Sequence, residues 1–161
     1  MMVSVSSTVD RQAVLLDLLN TTPVIDGQMV DRLDPRWLRG HGMAKDGLDA
    51  VRRVRDDVQR VVRMEADASV LRRYLTDVRQ VPDIGADGVA WSLEADWPAQ
   101  LVLAWGEVER DLPGRLRPCA NDECRLFLID RSRAGTARWC SMSGCGNRMK
   151  ARRHYSRAKG G

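Results

Sequence analysis

The chain has 161 residues, enough for one ordinary domain or one domain with a small appendage. Its hydrophobic content of 43% and mean hydropathy of −0.38 are those of a soluble globular protein and exclude a disordered or membrane chain. The net charge of +4 conceals an asymmetry, with +9 on residues 115–161 and −5 on residues 1–114, which points to a polyanionic partner for the basic end unless that end is simply a solvated tail.

In chain order, Thr8-Val9-Asp10 predicts a helix start. The following RQAVLLDLLN is apolar at Val14, Leu15, Leu18 and Leu19, and Asn20-Thr21-Thr22-Pro23 stops it. VIDGQMVDRL is turn-rich. Asp34-Pro35 reads as cap and first residue of a short helix, PRWLRG, closed by Gly40 and Gly42. KDGLDAVRRVRDDVQRVVRME carries the longest helical signal. Leu48, Val51, Val54, Val58, Val61 and Val62 share one face, and solvated charges such as Asp56-Asp57 cover the other. Asp67 caps a further helix striped by Leu71, Tyr74, Leu75 and Val78. The period then becomes two: GVAWSLE and the turn IGADG predict a hairpin over 79–94. Asp96 caps DWPAQLVLAWGEVERDL, apolar at Leu101, Val102, Trp105, Val108 and Leu112, and Pro113-Gly114 marks a boundary. Residues 8–112 are therefore expected to form a mainly α domain with one small β-hairpin. Trp37, Trp91, Trp97 and Trp105 are expected in its core, against the alternative of lining a ligand pocket. His41 has no assignable role.

No apolar run approaches the ~20 residues that span a bilayer, and MMVSVSSTVD has neither the basic nor the apolar part of a secretory signal. The expectation is a cytoplasmic protein without membrane contact, whose thiols stay reduced. That bears on the one unusual feature of the chain. All four cysteines lie within 27 residues, spaced C-x4-C-x15-C-x4-C at Cys119, Cys124, Cys140 and Cys145. Two short turns, each delivering two sulfurs to one point, make a tetrahedral Zn²⁺ site, with disulfides or an iron–sulfur cluster as the alternatives. Between the pairs, RLFLID and TARW flank SRAG and predict a hairpin. After Cys145, GNRMKARRHYSRAK suits a helix. Knuckle, hairpin and helix together predict a treble-clef-like zinc finger over 115–159, with one structural zinc whose four thiolates leave no place for a reactive water.

The last helix shows what such a metal would hold. Arg148, Lys150, Arg152, Arg153, Arg157 and Lys159 surround it, leaving little apolar surface to bury. A projecting basic helix suits the phosphates and major groove of DNA, with Arg131, Arg133 and Arg138 as added phosphate contacts.

At WCSMSGCGNRMKARRHY the chain resembles the CGNR-type zinc finger, through the C-x4-C knuckle, Phe127, Asp130, Trp139-Cys140-Ser141 and Cys145-Gly146-Asn147-Arg148. LLDLLNT and the helical body resemble the ABATE domain that precedes this finger. The resemblance implies a bacterial transcription regulator of the stress-induced type that binds DNA through the finger, with zinc on the four cysteines. It also draws notice to Asn147 and Arg148: Asn147, in the first helical turn, is expected to tie the knuckle backbone together and, with Trp139 and Phe127, to give structural support to the finger. The body would then be regulatory, and Asn20 is a candidate ligand contact unless its side chain caps the first helix. A single finger buries roughly 600–1,000 Å² on DNA, so a homodimer, RNA polymerase or an effector-bound state would complete the function. The competing functions are an RNA- or ribosome-binding factor and a protein-interaction adaptor using the basic helix. With no P-loop, HExxH, GxGxxG or Ser-His-Asp set, an enzyme is not expected.

Overall fold

The computed structural model describes residues 8–44 and 47–159, with the side chains of 8–10 and 157–159 outside the description. The capping side chains predicted at Thr8-Val9-Asp10, the start of the long helix at Lys45-Asp46, and the side chains of Arg157 and Lys159 therefore lie outside the description, although a helix does begin at Thr8. Helix accounts for 47% of the chain and the strands form small hairpins. No described helix is long and apolar enough to cross a membrane.

Helices α1 (Thr8–Leu19), α3 (Leu48–Val62) and α4 (Trp97–Asp111) enclose the core, and the short α2 (Pro35–Gly40) closes one end. Each is specified locally. Asp34 Oδ1 accepts from the N–H groups of Arg36 and Trp37 at 2.8 Å, and Asp96 Oδ1 from that of Ala99 at 2.8 Å, so both caps satisfy otherwise orphaned donors. Leu15, Leu18 and Leu19 of α1 meet Val51, Val54 and Val58 of α3 and Leu101, Val102 and Val108 of α4, all buried. Between α1 and α2, β1 (Val24–Ile25) and β2 (Gln28–Met29) form a minimal hairpin inside the stretch predicted only as turn. Asp26 and Gly27, both at positive φ, make its two-residue turn.

Three expectations for the body need correction. The helix after Asp67 is a 3-10 helix, Ala68–Tyr74; it buries Leu71 but leaves Leu75 exposed. The charged face of α3 is not simply solvated. Arg55 and Asp57 are buried among their neighbours: Arg55 forks onto Asp31 at 2.6 and 3.0 Å and donates to Thr21 at 3.0 Å. Asp57 accepts from Tyr74 at 2.6 Å and from Arg73. Although burial opposes ionisation, the hydrogen bonds from Arg55 and the Leu33 N–H hold the Asp31 carboxyl down at about 2. The third correction is Trp91. Trp37, Trp97 and Trp105 pack half-buried against the core, whereas Trp91 is exposed.

The predicted hairpin over 79–94 forms as β3 (Arg79–Gly85) and β4 (Gly88–Glu94), in antiparallel register from Arg79–Glu94 to Gly85–Gly88. In the C-terminal segment the pairing differs from expectation. β5 (Leu116–Pro118) pairs with β6 (Phe127–Ile129), so the hairpin encloses the first cysteine pair; RLFLID does not pair with TARW. The reason is packing. Leu116 and Phe127 are buried in the same cluster as α1, α3 and α4, and that draws their two strands together at the body surface. Asp130 replaces the missing ladder. Its buried carboxylate accepts from Ser132 N and Oγ, Ala137 N and Arg117 Nη2 at 2.9, 2.6, 3.0 and 2.6 Å, pinning the loop back on the strands. The Ser132 bonds in particular hold its carboxyl below the usual range. Gly135, at φ 65°, is favoured in this loop because L side chains rarely adopt that left-handed backbone, and a Cβ there would also displace the Arg115 guanidinium. A π-type turn, Met142–Gly146, then leads into α5 (Asn147–Lys159).

Candidate metal centre and the helix it holds

Two local structures bring the four thiols together. The first is the tight end of the β5–β6 hairpin. Cys119 N donates to Leu126 O at 2.8 Å and Cys124 N to Asn121 O at 2.8 Å, a knuckle that turns both sulfurs inward. The second is the turn into α5, where Ser141 Oγ accepts from Gly144 N at 3.1 Å and places Cys140 just before the turn and Cys145 inside it. Ala120 N, donating to Arg138 O at 2.8 Å, laces the two together.

All four Sγ atoms lie within 4.8 Å of one another, with Cys124–Cys140 and Cys140–Cys145 each at 3.7 Å. Sulfurs at ~2.3 Å from a tetrahedral zinc stand about 3.8 Å apart, so the donor set fits the ion in number, softness and size. The same spacing is too long for an S–S bond of ~2.05 Å, and all four cysteines are free. Without a cation the cluster resists ionisation: burial pushes the Cys124 thiol up to about 11 and raises Cys140 too. Against the cost of burial, the Asn121 amide, 3.4 Å from the sulfur, and the neighbouring thiols lower Cys145. Cys140 N also points at Cys119 Sγ at 3.4 Å. A divalent cation supplies the missing counter-charge. Four thiolates close its coordination sphere, so its chemistry here is cross-linking.

The supporting residues divide by role. Trp139 packs on Gly146: a Cβ there would come to 3.3 Å from the indole and 3.0 Å from Met142 Sδ, a tight fit that favours glycine. Asn147 is exposed and reaches Ser143 O at 3.5 Å, the margin of a hydrogen bond. Phe127 does more than fill the finger. Its ring lies under Arg63, the C-cap of α3, 4.5 Å from the guanidinium carbon, and Arg63 Nη2 donates to Arg125 O at 2.5 Å.

Asn20, a candidate ligand contact or helix cap, turns its side chain to the finger instead of capping α1. Its Oδ1 accepts from Phe127 N at 2.7 Å and its Nδ2 donates to Phe127 O at 3.2 Å, so the side chain acts as a short extra strand against β6. Nearby, Arg131 donates to the buried Gln12 of α1 at 2.7 Å. Pro113-Gly114 is thus a division of the chain but not of the core. Truncating Asn20 to Ala would leave both backbone groups of the buried Phe127 without partners. We expect a loss of about 1–3 kcal/mol, read as a lowered midpoint in urea unfolding of the zinc-loaded chain.

The predicted phosphate contacts are not equivalent. Arg148, Lys150, Arg152 and Arg153 are all exposed on α5, as are all its described side chains beyond Met149. Among the described residues no carboxylate pairs with Arg148, Lys150 or Arg153, whereas Arg152 is bridged to Glu123 of the knuckle. Arg133 is exposed on the loop after β6. Arg138 lies over the Trp139 ring, 5.2 Å from its centre. Sequence reasoning missed Asn121, Gln12 and Arg63 as partners of the finger. Only Asn121 carried a local signal, an Asn inside the tight turn between paired cysteines.

Residues 115–158 match the family model of the CGNR zinc finger. That match and the four clustered thiols agree on one structural Zn²⁺ held by Cys119, Cys124, Cys140 and Cys145. No curated protein matches the chain.

Proposed function

We propose that this protein is a zinc-dependent DNA-binding transcription regulator of a bacterial cytoplasm, in which a treble-clef-like finger holds α5 against duplex DNA. The observation that carries this reading is the set of exposed cations on α5 without acidic partners among the described residues, mounted on the four-thiol centre. Arg148, Lys150 and Arg153 are the principal contacts, with Arg133 beside them. Arg152 is partly neutralised by Glu123, and Arg131 serves the body instead. The ABATE-like body is the regulatory part. Its cavity of about 200 Å³ between α1 and α4, walled by Val14, Trp97, Leu101 and Ala104 and edged by Arg11 and His41, is where a small apolar effector would bind. No catalytic role is proposed, since a zinc ion closed by four thiolates offers no open position.

The salt dependence of duplex binding tests the reading. Four to five neutralised phosphates predict a slope of log K against log salt of about −4. A slope near zero would remove α5 from the mechanism, and structured RNA that outcompetes duplex DNA would favour the RNA-binding alternative.

A further inference from the structure

The hairpin β3–β4 has no visible reason to be stable. Of its strand residues all but Val81 and Ser92 are exposed, and a two-stranded hairpin alone in water is marginal at best. Cross-strand partners share a face, and one face here gathers Pro82 opposite Trp91, Ile84 opposite Val89, and Leu93. Ile84 is 78% exposed, Trp91 64%, Val89 60% and Leu93 44%. Together they present on the order of 500 Å² of apolar surface, at the upper end of what a monomer leaves bare.

The backbone indicates what covers this arm. The Gly85–Gly88 pair closes the two-residue turn, so hydrogen-bonded and non-bonded pairs alternate from there. Val89, Trp91 and Leu93 consequently direct their N–H and C=O groups to the free edge of β4, and Pro82 faces the free edge of β3. Proline blunts the β3 edge, since it has no N–H to offer. The β4 edge has no such guard: between Gly88 and Glu94 it carries neither proline nor charge.

We propose that β3–β4 is a dimerisation arm, with the free edge of β4 pairing antiparallel to β4 of a second copy about a twofold axis at Trp91. The sequence of β4 is self-complementary in that register. Trp91 faces Trp91, Val89 faces Leu93, Ala90 faces Ser92 and Gly88 faces Glu94, so no like charges meet and the apolar residues align on one face. Antiparallel pairing also carries each tip toward the base of the other arm. There a groove of about 340 Å³, lined by Leu75, Leu93, Val102, Leu103 and Trp105, lies open to receive Ile84 and Val89. Arm, edge and groove are the surfaces such a dimer would bury, against a standard interface of ~800 Å² per partner. The arrangement holds whether or not α5 meets DNA.

Sedimentation equilibrium of the full zinc-loaded chain tests this. A species of twice the 18.1 kDa chain mass is expected at micromolar concentration. Trp91→Arg sets two guanidinium groups face to face at the axis and is expected to weaken the dimer at least ~30-fold. Ile84→Asp, which charges the tip where it enters the groove, acts in the same direction. Both positions are exposed, so unchanged circular dichroism is expected for the monomers. A wild-type chain that stays monomeric up to roughly 100 µM, or a dimer equally tight in both variants, would overturn the proposal.

Discussion

Removal of the metal, or Cys145→Ser, is expected to melt residues 115–159 while α1, α3 and α4 stay helical. The metal contribution in small Cys-rich units is about 10–16 kcal/mol, comparable to the whole stability of an ordinary domain. Little else holds α5 in place, since its described side chains beyond Met149 are all exposed. The body does not escape unharmed. Leu116 and Phe127 belong to its core, and Asn20 and Gln12 are bonded to the finger, so its thermal midpoint should fall as well. Far-UV circular dichroism with and without chelator would show a partial loss of helix, reversed by stoichiometric Zn²⁺. Amide NMR would localise the loss to the C-terminal third.

The second large effect is on affinity. Replacing Arg148, Lys150 and Arg153 together by Ala is expected to weaken duplex binding about 100-fold near 150 mM salt and to make the salt slope shallower by about 3. The fold should not change, because the three side chains are exposed and no carboxylate pairs with them among the described residues. Arg131→Ala should behave in the opposite way, costing stability through Gln12 with little effect on the salt slope. Fluorescence anisotropy with a labelled duplex, run beside urea melts of each variant, separates the two kinds of arginine.

That contrast shows where the sequence was legible. The cysteine spacing, the capped helices and the 79–94 hairpin are local patterns, and each forms within a few residues of expectation. The errors arise where distant segments compete for the same group. Phe127 had two prospective partners, the TARW arm and the body; burial beside α1 and α3 decided for the body, so the hairpin formed with Leu116–Pro118. Arg55 and Asp57 sit on a helix face that periodicity assigns to solvent, yet Asp31 and Tyr74 arrive from elsewhere in the chain to pair with them. Asn20 looked like a helix-end residue because its true partner is 107 positions away. Trp91 fits the strand alternation perfectly well, but periodicity says which residues share a face and not what lies against that face.

The most direct measurement is a duplex-DNA titration of the full chain, first zinc-loaded and then stripped with a chelator in the same buffer. The account predicts saturable, salt-sensitive binding that disappears with the metal and returns with one equivalent of Zn²⁺. Binding of equal strength in the chelated protein, or none in the loaded one, would contradict it.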